Sequence, residues 1–316
     1  MNDGLLYKLL HEEIIDVISS LPEELYDFVK EPLTVSKRGL AVADEHEPPW
    51  ILLPLIVCES IGGSTDKALP LCASLQFFMA AGDVFDDIED NDAPLSLSSR
   101  YGTAITNNIA TTLLVLGEKA IARLKSRCVD DRMIVRILDI INSYYLTACK
   151  GQHMDLSHGS VIELSENDYL DILSMKSASQ IECACYTGAL LATENEKVLD
   201  NIKEFGHNLG MLAQITNDIA GIIEKKDIIN KKITLPVIFA LSQTEGPANS
   251  LLIRYYRKQA GSADIDIEQI SDILSNSGAL HYTAIKMEFY RLLASEAIEK
   301  IKESGINTEK LGTFVK

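Results

Sequence analysis

The sequence predicts an all-α protein, and three observations carry that prediction. Residues 95–235 contain no proline, the residue that most reliably stops a helix. Apolar residues recur at helical spacing, as in Ile134, Ile137, Leu138, Ile141, Tyr144 and Tyr145. Strict apolar/polar alternation is scarce and hairpin dipeptides are absent.

Taken in order, helices are expected over about 5–20, 48–61, 66–89, 102–126, 130–157, 165–193, 195–224 and 279–303, with shorter ones between 232 and 276. Gly62-Gly63-Ser64 separates the second from the third, and Ser64 or Thr65 can cap the latter. Ser165-Glu166-Asn167-Asp168 opens the helix at 165, with acid in the first turn where the helix dipole favours it. Tyr169, Ile172, Leu173 and Lys176 give that helix its stripe, and Phe205, Leu209, Leu212 and Ile215 give the next one its own. Residues 243–264, with Gly246-Pro247 and Gly261, read as a loop region. No fixed-period repeat and no low-complexity linker divides the chain, so one helical domain over 1–316 is expected.

Composition narrows the function classes. The 316 residues carry 29 Lys and Arg against 46 Asp and Glu, a formal net charge of −17. That balance argues against nucleic acid, whose binding depends on neutralising phosphates, and against an anionic membrane surface. It suits divalent metal where carboxylates cluster. No run of 18 apolar residues occurs, so no transmembrane segment is expected. The N-terminal stretch lacks a basic region before an apolar core, so it does not read as a signal peptide. Six cysteines without a CxxC pair read as buried free thiols of a cytoplasmic protein and not as a zinc site.

The strongest chemical signal is Asp83-Val84-Phe85-Asp86-Asp87-Ile88-Glu89-Asp90. On a helix Asp86 and Asp90 are i and i+4 on one face, and Asp83 and Asp87 pair beside them. Like charges at that spacing repel. They also close a largely apolar helix, at the end where the dipole disfavours acid. Bound cations would resolve both conflicts; a merely charged helix terminus is the plainer alternative. A second cluster, Gln214-Ile215-Thr216-Asn217-Asp218-Ile219-Ala220-Gly221 with Glu224 following, places Asn217 and Glu224 seven residues apart on one face. Cations form a third set: Lys176 on its apolar stripe, and Lys225, Lys226, Lys231 and Lys232 after the second cluster. A metal-bridged anion would use acids and lysines together; a solvated loop is the alternative. Gly151-Gln152-His153-Met154-Asp155-Leu156 is a fourth feature, which by itself reads equally as a helix-end cap.

In this order the pieces resemble the trans-isoprenyl diphosphate synthases, or polyprenyl synthetases. Asp86-Asp87-Ile88-Glu89-Asp90 is similar to the first aspartate-rich motif, DDxxD. Gly62-Gly63 with Lys67-Ala68-Leu69-Pro70 resembles the turn into the helix that bears it, and Tyr101-Gly102 the start of the next. Gly151-Gln152 through Asp155-Leu156 resembles GQxxDL, and Gln214 to Gly221 the second motif, QxxDDxxD. Lys226-Asp227-Ile228 to Lys232-Ile233-Thr234-Leu235-Pro236 resembles KDLxxGKxTLP. The resemblance runs over roughly residues 50–242.

It implies an isoprenoid synthase fold, with helices around a deep apolar cavity whose mouth carries the two acidic motifs. It implies Mg²⁺ as cofactor, an allylic prenyl diphosphate as substrate, and a homodimer. Carried over residue by residue, it makes Asp86, Asp87, Asp90, Asn217, Asp218 and Glu224 the candidate metal ligands. Lys176, Gln214, Lys226, Lys232, Arg100 and Gln152 become candidate substrate-binding residues, and Asp86, Asp90 and Lys176 the catalytic core. Small residues at Ala81 and Gly82, with Phe77 and Phe78 deeper, imply room for a chain of about C15 to C20.

The departures are as informative. Where elongating synthases carry GGKxxRP for isopentenyl diphosphate, this chain reads Glu45-His46-Glu47-Pro48-Pro49-Trp50, with Lys37 and Arg38 upstream. Asp92 to Ser99 lacks the arginine pair that normally follows the first motif, leaving Arg100. The second motif has lost its first and last aspartates, to Asn217 and Gly221, and the connection to Lys226 is short. Terpene cyclases share such losses, and Asn217, Asp218 and Gly221 match three positions of their (N/D)Dxx(S/T/G)xxxE motif, with Lys225 at the glutamate position. So does a bacterial prenyltransferase that modifies a tryptophan of a quorum-sensing peptide. The resemblance thus implies a prenyltransferase with a degenerate isopentenyl diphosphate site. A terpene cyclase and a non-catalytic partner subunit of a prenyl diphosphate synthase are the alternatives.

Overall fold

The computed structural model describes residues 3–35, 49–90, 96–157, 164–257 and 265–316. Among them every regular element is helical, as expected. The N-terminal helices are α1 (Asp3–Ile18) and α2 (Glu23–Val35), followed by α3 (Leu53–Ser60) and α4 (Thr65–Asp90). Next come α5 (Leu97–Tyr101), α6 (Thr103–Ala122), α7 (Asp131–Ser157) and α8 (Glu166–Leu173). A π turn, Ser174–Ala178, joins α8 to α9 (Ser179–Leu190), and α10 (Glu196–Ile223) follows. The C-terminal part holds α11 (Lys226–Ile229), α12 (Leu235–Gln243), α13 (Gly246–Tyr256), α14 (Ile267–Asn276) and α15 (Ala279–Glu303).

Local chemistry explains several boundaries. The expected opening of α8 forms a capping box: Ser165 Oγ accepts from Asp168 N at 3.2 Å, and Asp168 Oδ2 accepts from Ser165 N at 3.2 Å. Asn195 caps α10 by accepting from Lys197 N at 3.1 Å. Gly62, at φ +93°, makes the left-handed turn out of α3.

The interior is built on α4, α6, α9 and α10. α4 packs along α6, and α10 along α9 and α15. Leu71, Phe77, Leu113, Leu199, Ile202 and Phe205 are all essentially inaccessible. By length and composition Thr65–Glu89 could cross a membrane, but 78% of its apolar window is buried among other helices, the pattern of a core helix. The N-terminus is tied down by charge. Glu13, only 5% exposed, accepts from Arg123 Nε at 2.6 Å and Arg127 Nη2 at 2.8 Å. Both arginines lie just beyond α6, so the buried acid is doubly paired.

Several expectations need correction. Helix α2 was not anticipated, because Pro32 lies inside it and Pro22 at its start, and both break the sequence pattern. The five-residue α5 is too short to show periodicity; Ser96 caps it by accepting from Ser99 N at 3.2 Å. Part of the expected 243–264 loop is α13, with Pro247 placed at a helix start, where proline is tolerated. Of the six cysteines, Cys58, Cys72, Cys183 and Cys185 are buried but Cys128 and Cys149 are exposed.

The expected helix at 165–193 is also divided. The π turn lies between α7 and α10, and a glycine from each makes room for it. A Cβ on Gly151 would fall 2.5 Å from Lys176 N, and one on Gly210 would fall 2.6 Å from Ala178 Cα. Both neighbours are backbone and cannot swing away. Replacing Gly210 by alanine should therefore lower stability by about 1–3 kcal/mol. A urea midpoint matching that of the unmodified protein would show that the turn has slack.

Candidate active site

A cleft of about 900 Å³ opens where α4, α7, the π turn, α10 and residues 227–234 meet. Asp86 and Glu89 reach it from the end of α4, and Gln152 and Asp155 from the last turns of α7. Lys176 enters from the π turn, Gln214, Asn217 and Asp218 from α10, and Asp227, Asn230, Lys231 and Lys232 from the segment after it. Gly82, Phe85, Tyr145, Ile172 and Leu173 line its apolar part.

Lys176 is the electrostatic centre. Its Nζ lies 3.1 Å from Asp86 Oδ1 and 2.9 Å from Asp155 Oδ2. Burial opposes the charge on Lys176, but Asp86 and Asp155 outweigh it and raise its pKa above the ordinary lysine value. Lys176 keeps the face of Tyr169, Ile172 and Leu173, all of which line the cleft, although its own backbone lies in the π turn. Gln152 ties the acids together: its Nε2 donates to Asp86 Oδ1 at 2.9 Å and to Glu89 Oε2 at 2.8 Å. Its Oε1 is buried without a hydrogen-bond partner, an orphaned acceptor inside the cleft.

On the opposite wall Asp218 is 2% exposed and held by three donors. Tyr169 Oη donates to Oδ2 at 2.7 Å, Leu235 N to the same oxygen at 3.4 Å, and Gln214 Nε2 to Oδ1 at 3.3 Å. Burial pushes the Asp218 carboxyl up to about 7, against these hydrogen bonds, which pull it down. Asp218 thus braces α8, α10 and the start of α12 against one another. Gln214 Oε1 accepts from Ser177 Oγ at 3.2 Å, linking α10 to the π turn.

The cleft gathers Asp86, Gln152, Lys176, Gln214, Asn217, Asp218 and Lys232 from the residues singled out in the sequence. Others lie elsewhere. Arg100 pairs with Glu31 on α2. Lys226 pairs with Glu224 at 2.5 Å, its side chain 73% exposed, and neither lines the cleft. Asp87 is half-buried on the flank of α4 and is not among the lining residues. Asp90 closes α4, and its side chain, like Lys37 and Arg38, falls outside the described residues. Trp50 packs edge-on against Phe314 at 5.4 Å, half-buried against the hydrophobic core.

Of the four chain-length residues, Gly82 borders the cleft, and a Cβ there would meet nothing within 4 Å. Ala81 and Phe77 are fully buried in the core. Phe78 stands one layer back, its ring 5.0 Å from that of Tyr145, which does line the cleft.

Glu89, Tyr169, Asp227 and Lys231 also line the cleft; all four stand within the patterns read from the sequence, but none is among the metal-ligand or substrate-binding candidates carried over from the resemblance. Glu89 could have been found from its i+3 relation to Asp86. Lys231 belongs to the basic set after the second cluster and Tyr169 to the stripe that carries Lys176, signals that mark a face or a segment without assigning either a role. Lys231 reaches the cleft through a left-handed backbone, φ +56°, and its Nζ lies 4.5 Å from the centre of the Tyr255 ring on α13.

The chemistry of the donors fits magnesium, which prefers carboxylate and carbonyl oxygen. Asp86, Glu89, Asn217, Asp227 and the orphaned Gln152 Oε1 are all of that kind. Among the described residues no three acidic, histidine or cysteine side chains converge to cage an ion. Magnesium needs no such cage, since it keeps waters and completes its shell with phosphate oxygens.

An all-α fold with opposed acidic walls and a lysine at the mouth of a partly apolar cleft defines a class I isoprenoid synthase architecture. The profile of the polyprenyl synthetase family matches residues 51–274, and the chain belongs to that family and is a prenyltransferase. It is 26% identical over 306 residues to the tryptophan prenyltransferase ComQ of Bacillus subtilis subsp. natto, covering 96% of this chain and 87% of that one. It is 27% identical over 277 residues to the geranylgeranyl diphosphate synthase of Saccharolobus solfataricus, covering 82% of each. Among solved structures, the polyprenyl synthetase of Streptomyces coelicolor A3(2) superposes with a TM-score of 0.83 at 17% identity, covering 99% of this chain and 96% of that one. The geranylgeranyl pyrophosphate synthase of Corynebacterium glutamicum, complexed with isoprenyl diphosphate and magnesium, gives 0.80 at 16%, covering 100% and 97%. At these identities the structural matches speak to the fold.

The bracing role of Asp218 can be measured. Tyr169→Phe removes a donor from a buried carboxylate and should cost about 1–3 kcal/mol of stability. In the Asp218→Asn background the same change should cost much less, because no buried charge is then left short of a partner. Equal losses in both backgrounds would mean that Tyr169 contributes only through packing.

Proposed function

We propose that the protein transfers an allylic prenyl group, of about C15 to C20, from its diphosphate to a carbon acceptor in a magnesium-dependent reaction. The observation that carries this reading is the Asp86–Lys176–Asp155 cluster, joined by Gln152, at the mouth of a cleft that turns apolar below it. Asp86, with Asp90 by resemblance, would hold magnesium on one wall and Asn217 on the other. When bound, the metal would neutralise diphosphate charge as a Lewis acid.

The chain's own residues do the rest. Lys176, Lys231 and Lys232 stabilise the charge that develops on the departing diphosphate. Gln152 keeps Asp86 and Glu89 aimed together. Phe85, Tyr145, Ile172 and Leu173 surround the prenyl chain and exclude water from the allylic cation while the acceptor attacks. Exposed Val115 on α6 and Val135 and Leu146 on α7 offer apolar surface for the expected homodimer.

A tryptophan side chain is the acceptor we favour. The similarity to a tryptophan prenyltransferase runs through 96% of the chain. By resemblance, the stretch Glu45 to Trp50 reads acids and a tryptophan in place of the cationic motif for isopentenyl diphosphate. An electron-rich indole attacks a carbocation without needing such a site.

The test is incubation with Mg²⁺ and geranyl, farnesyl or geranylgeranyl diphosphate, each alone, with isopentenyl diphosphate, or with a short tryptophan-containing peptide. Released pyrophosphate and organic products are both measured. Prenylated peptide is expected, lost with EDTA, restored by Mg²⁺, and reduced at least about 100-fold by Asp86→Ala. A longer diphosphate formed only with isopentenyl diphosphate would replace the acceptor reading with chain elongation. Hydrocarbon or alcohol from the substrate alone would replace it with cyclisation.

Chain length has its own probe. Gly82→Phe places a ring in open space at the cleft wall. The ratio of kcat/KM for geranylgeranyl over geranyl diphosphate should fall by about 10-fold. An unchanged ratio would mean that the prenyl chain runs elsewhere.

A further inference from the structure

The second acidic motif is poor in acid. On the cleft face of α10 the helical repeat presents positions 214, 217, 218 and 221. In this chain they are Gln214, Asn217, Asp218 and Gly221. Asp218, the one carboxylate, is buried and already accepts from Tyr169, Gln214 and the Leu235 amide. To ligate an ion it would have to surrender bonds that hold three helices together. Glu224, the next acid in sequence, pairs with Lys226 and does not line the cleft.

The space beside Gly221 is nevertheless filled by a carboxylate. A Cβ built on Gly221 would lie 2.0 Å from Asp227 Oδ2, 2.4 Å from its Cγ and 2.8 Å from Oδ1. The Asp227 side chain therefore occupies the volume that a side chain at 221 would take. Asp227 lines the cleft with Asn217.

The backbone explains how it gets there. After α10 ends, Lys225 turns left-handed at φ +59° and reverses the chain into α11. Lys231 turns left-handed again at φ +56°, and Lys232 N donates to Asp227 O at 2.9 Å. Tyr255 Oη on α13 donates to Ile228 O at 2.9 Å and pins the loop from outside. Two non-glycine residues in the left-handed region are costly unless the surroundings hold them. The tight return is thus a built feature.

We propose that Asp227 supplies the carboxylate missing from the last position of the second motif, acting with Asn217 toward magnesium on that wall, and that Gly221 is small so that it can. This rests on the metal-dependent reading of the cleft above. Asp227 belongs to the segment that resembles KDLxxGKxTLP, and with Gly221 lacking a side chain its carboxylate reaches the side of the cleft that the lost motif acid would have faced.

The test reads metal binding directly. The full chain is titrated with Mn²⁺ in the presence of inorganic pyrophosphate, with free Mn²⁺ followed by electron paramagnetic resonance. Asp227→Asn, Asp86→Asn and the exchange variant Gly221→Asp/Asp227→Gly are run beside the unmodified protein, each with its melting temperature. Asp227→Asn should weaken pyrophosphate-dependent Mn²⁺ uptake by about 10- to 100-fold at an unchanged melting temperature. The exchange variant should recover most of that loss. If Asp227→Asn titrates like the unmodified protein while Asp86→Asn is weakened, the role of Asp227 is overturned and the reading of the cleft stands. If the unmodified protein takes up no Mn²⁺ with pyrophosphate, the reading of the cleft itself fails, and the role of Asp227 with it. A folded exchange variant without recovery would overturn the interchange of positions 221 and 227.

Discussion

Lys176 stands between Asp86 and Asp155, and much of the molecule serves to keep it there. Its backbone belongs to a π turn, a geometry that a regular i+4 hydrogen-bond ladder would erase. The turn survives because α7 and α10 each present a glycine to it, Gly151 at Lys176 and Gly210 at Ala178. Those contacts set how closely three helices approach. The ion pairs themselves, with all three side chains a quarter or more exposed, add little stability. Their value is positional: one cation keeps two carboxylates from repelling one another across the mouth of the cleft.

The far wall solves a different problem. Asp218 is buried where a carboxylate is expensive, and burial lifts its pKa to about 7. Three donors from three parts of the chain offset that cost and make it a brace. Asp227 approaches the same wall on a short, doubly left-handed connection that Tyr255 anchors through the Ile228 carbonyl. α13, which a proline and a glycine disguise as loop in the sequence, is therefore part of what shapes the site.

Much of the cleft was legible because helical spacing is local. Asp86 sits at the end of an apolar helix, and Gln214, Asn217 and Asp218 share one face of another; a period of 3.6 residues is enough to see both. The same logic misplaced what depends on direction in space. Glu224 extends the acidic face by count, yet α10 ends at Ile223, and past that point counting turns no longer tells where a side chain goes. Arg100 follows the first motif in sequence but turns to Glu31 on α2, a helix hidden by Pro32. Phe77 and Ala81 lie on the same helix as Gly82, but only Gly82 faces open space.

What the amino-acid sequence determined by itself is the all-α fold, the family, and the side of each helix on which the chemistry lies. These follow from periodicity, capping and the order of motifs, which need no knowledge of neighbours. Only the tertiary structure decided which groups meet: that Lys176 stands between two aspartates from different helices, that Asp218 is committed to bracing, and that Asp227 fills the space Gly221 leaves. The reason is that these contacts join residues distant in sequence or reached through left-handed turns, where position is set by packing between elements and not by the repeat within one.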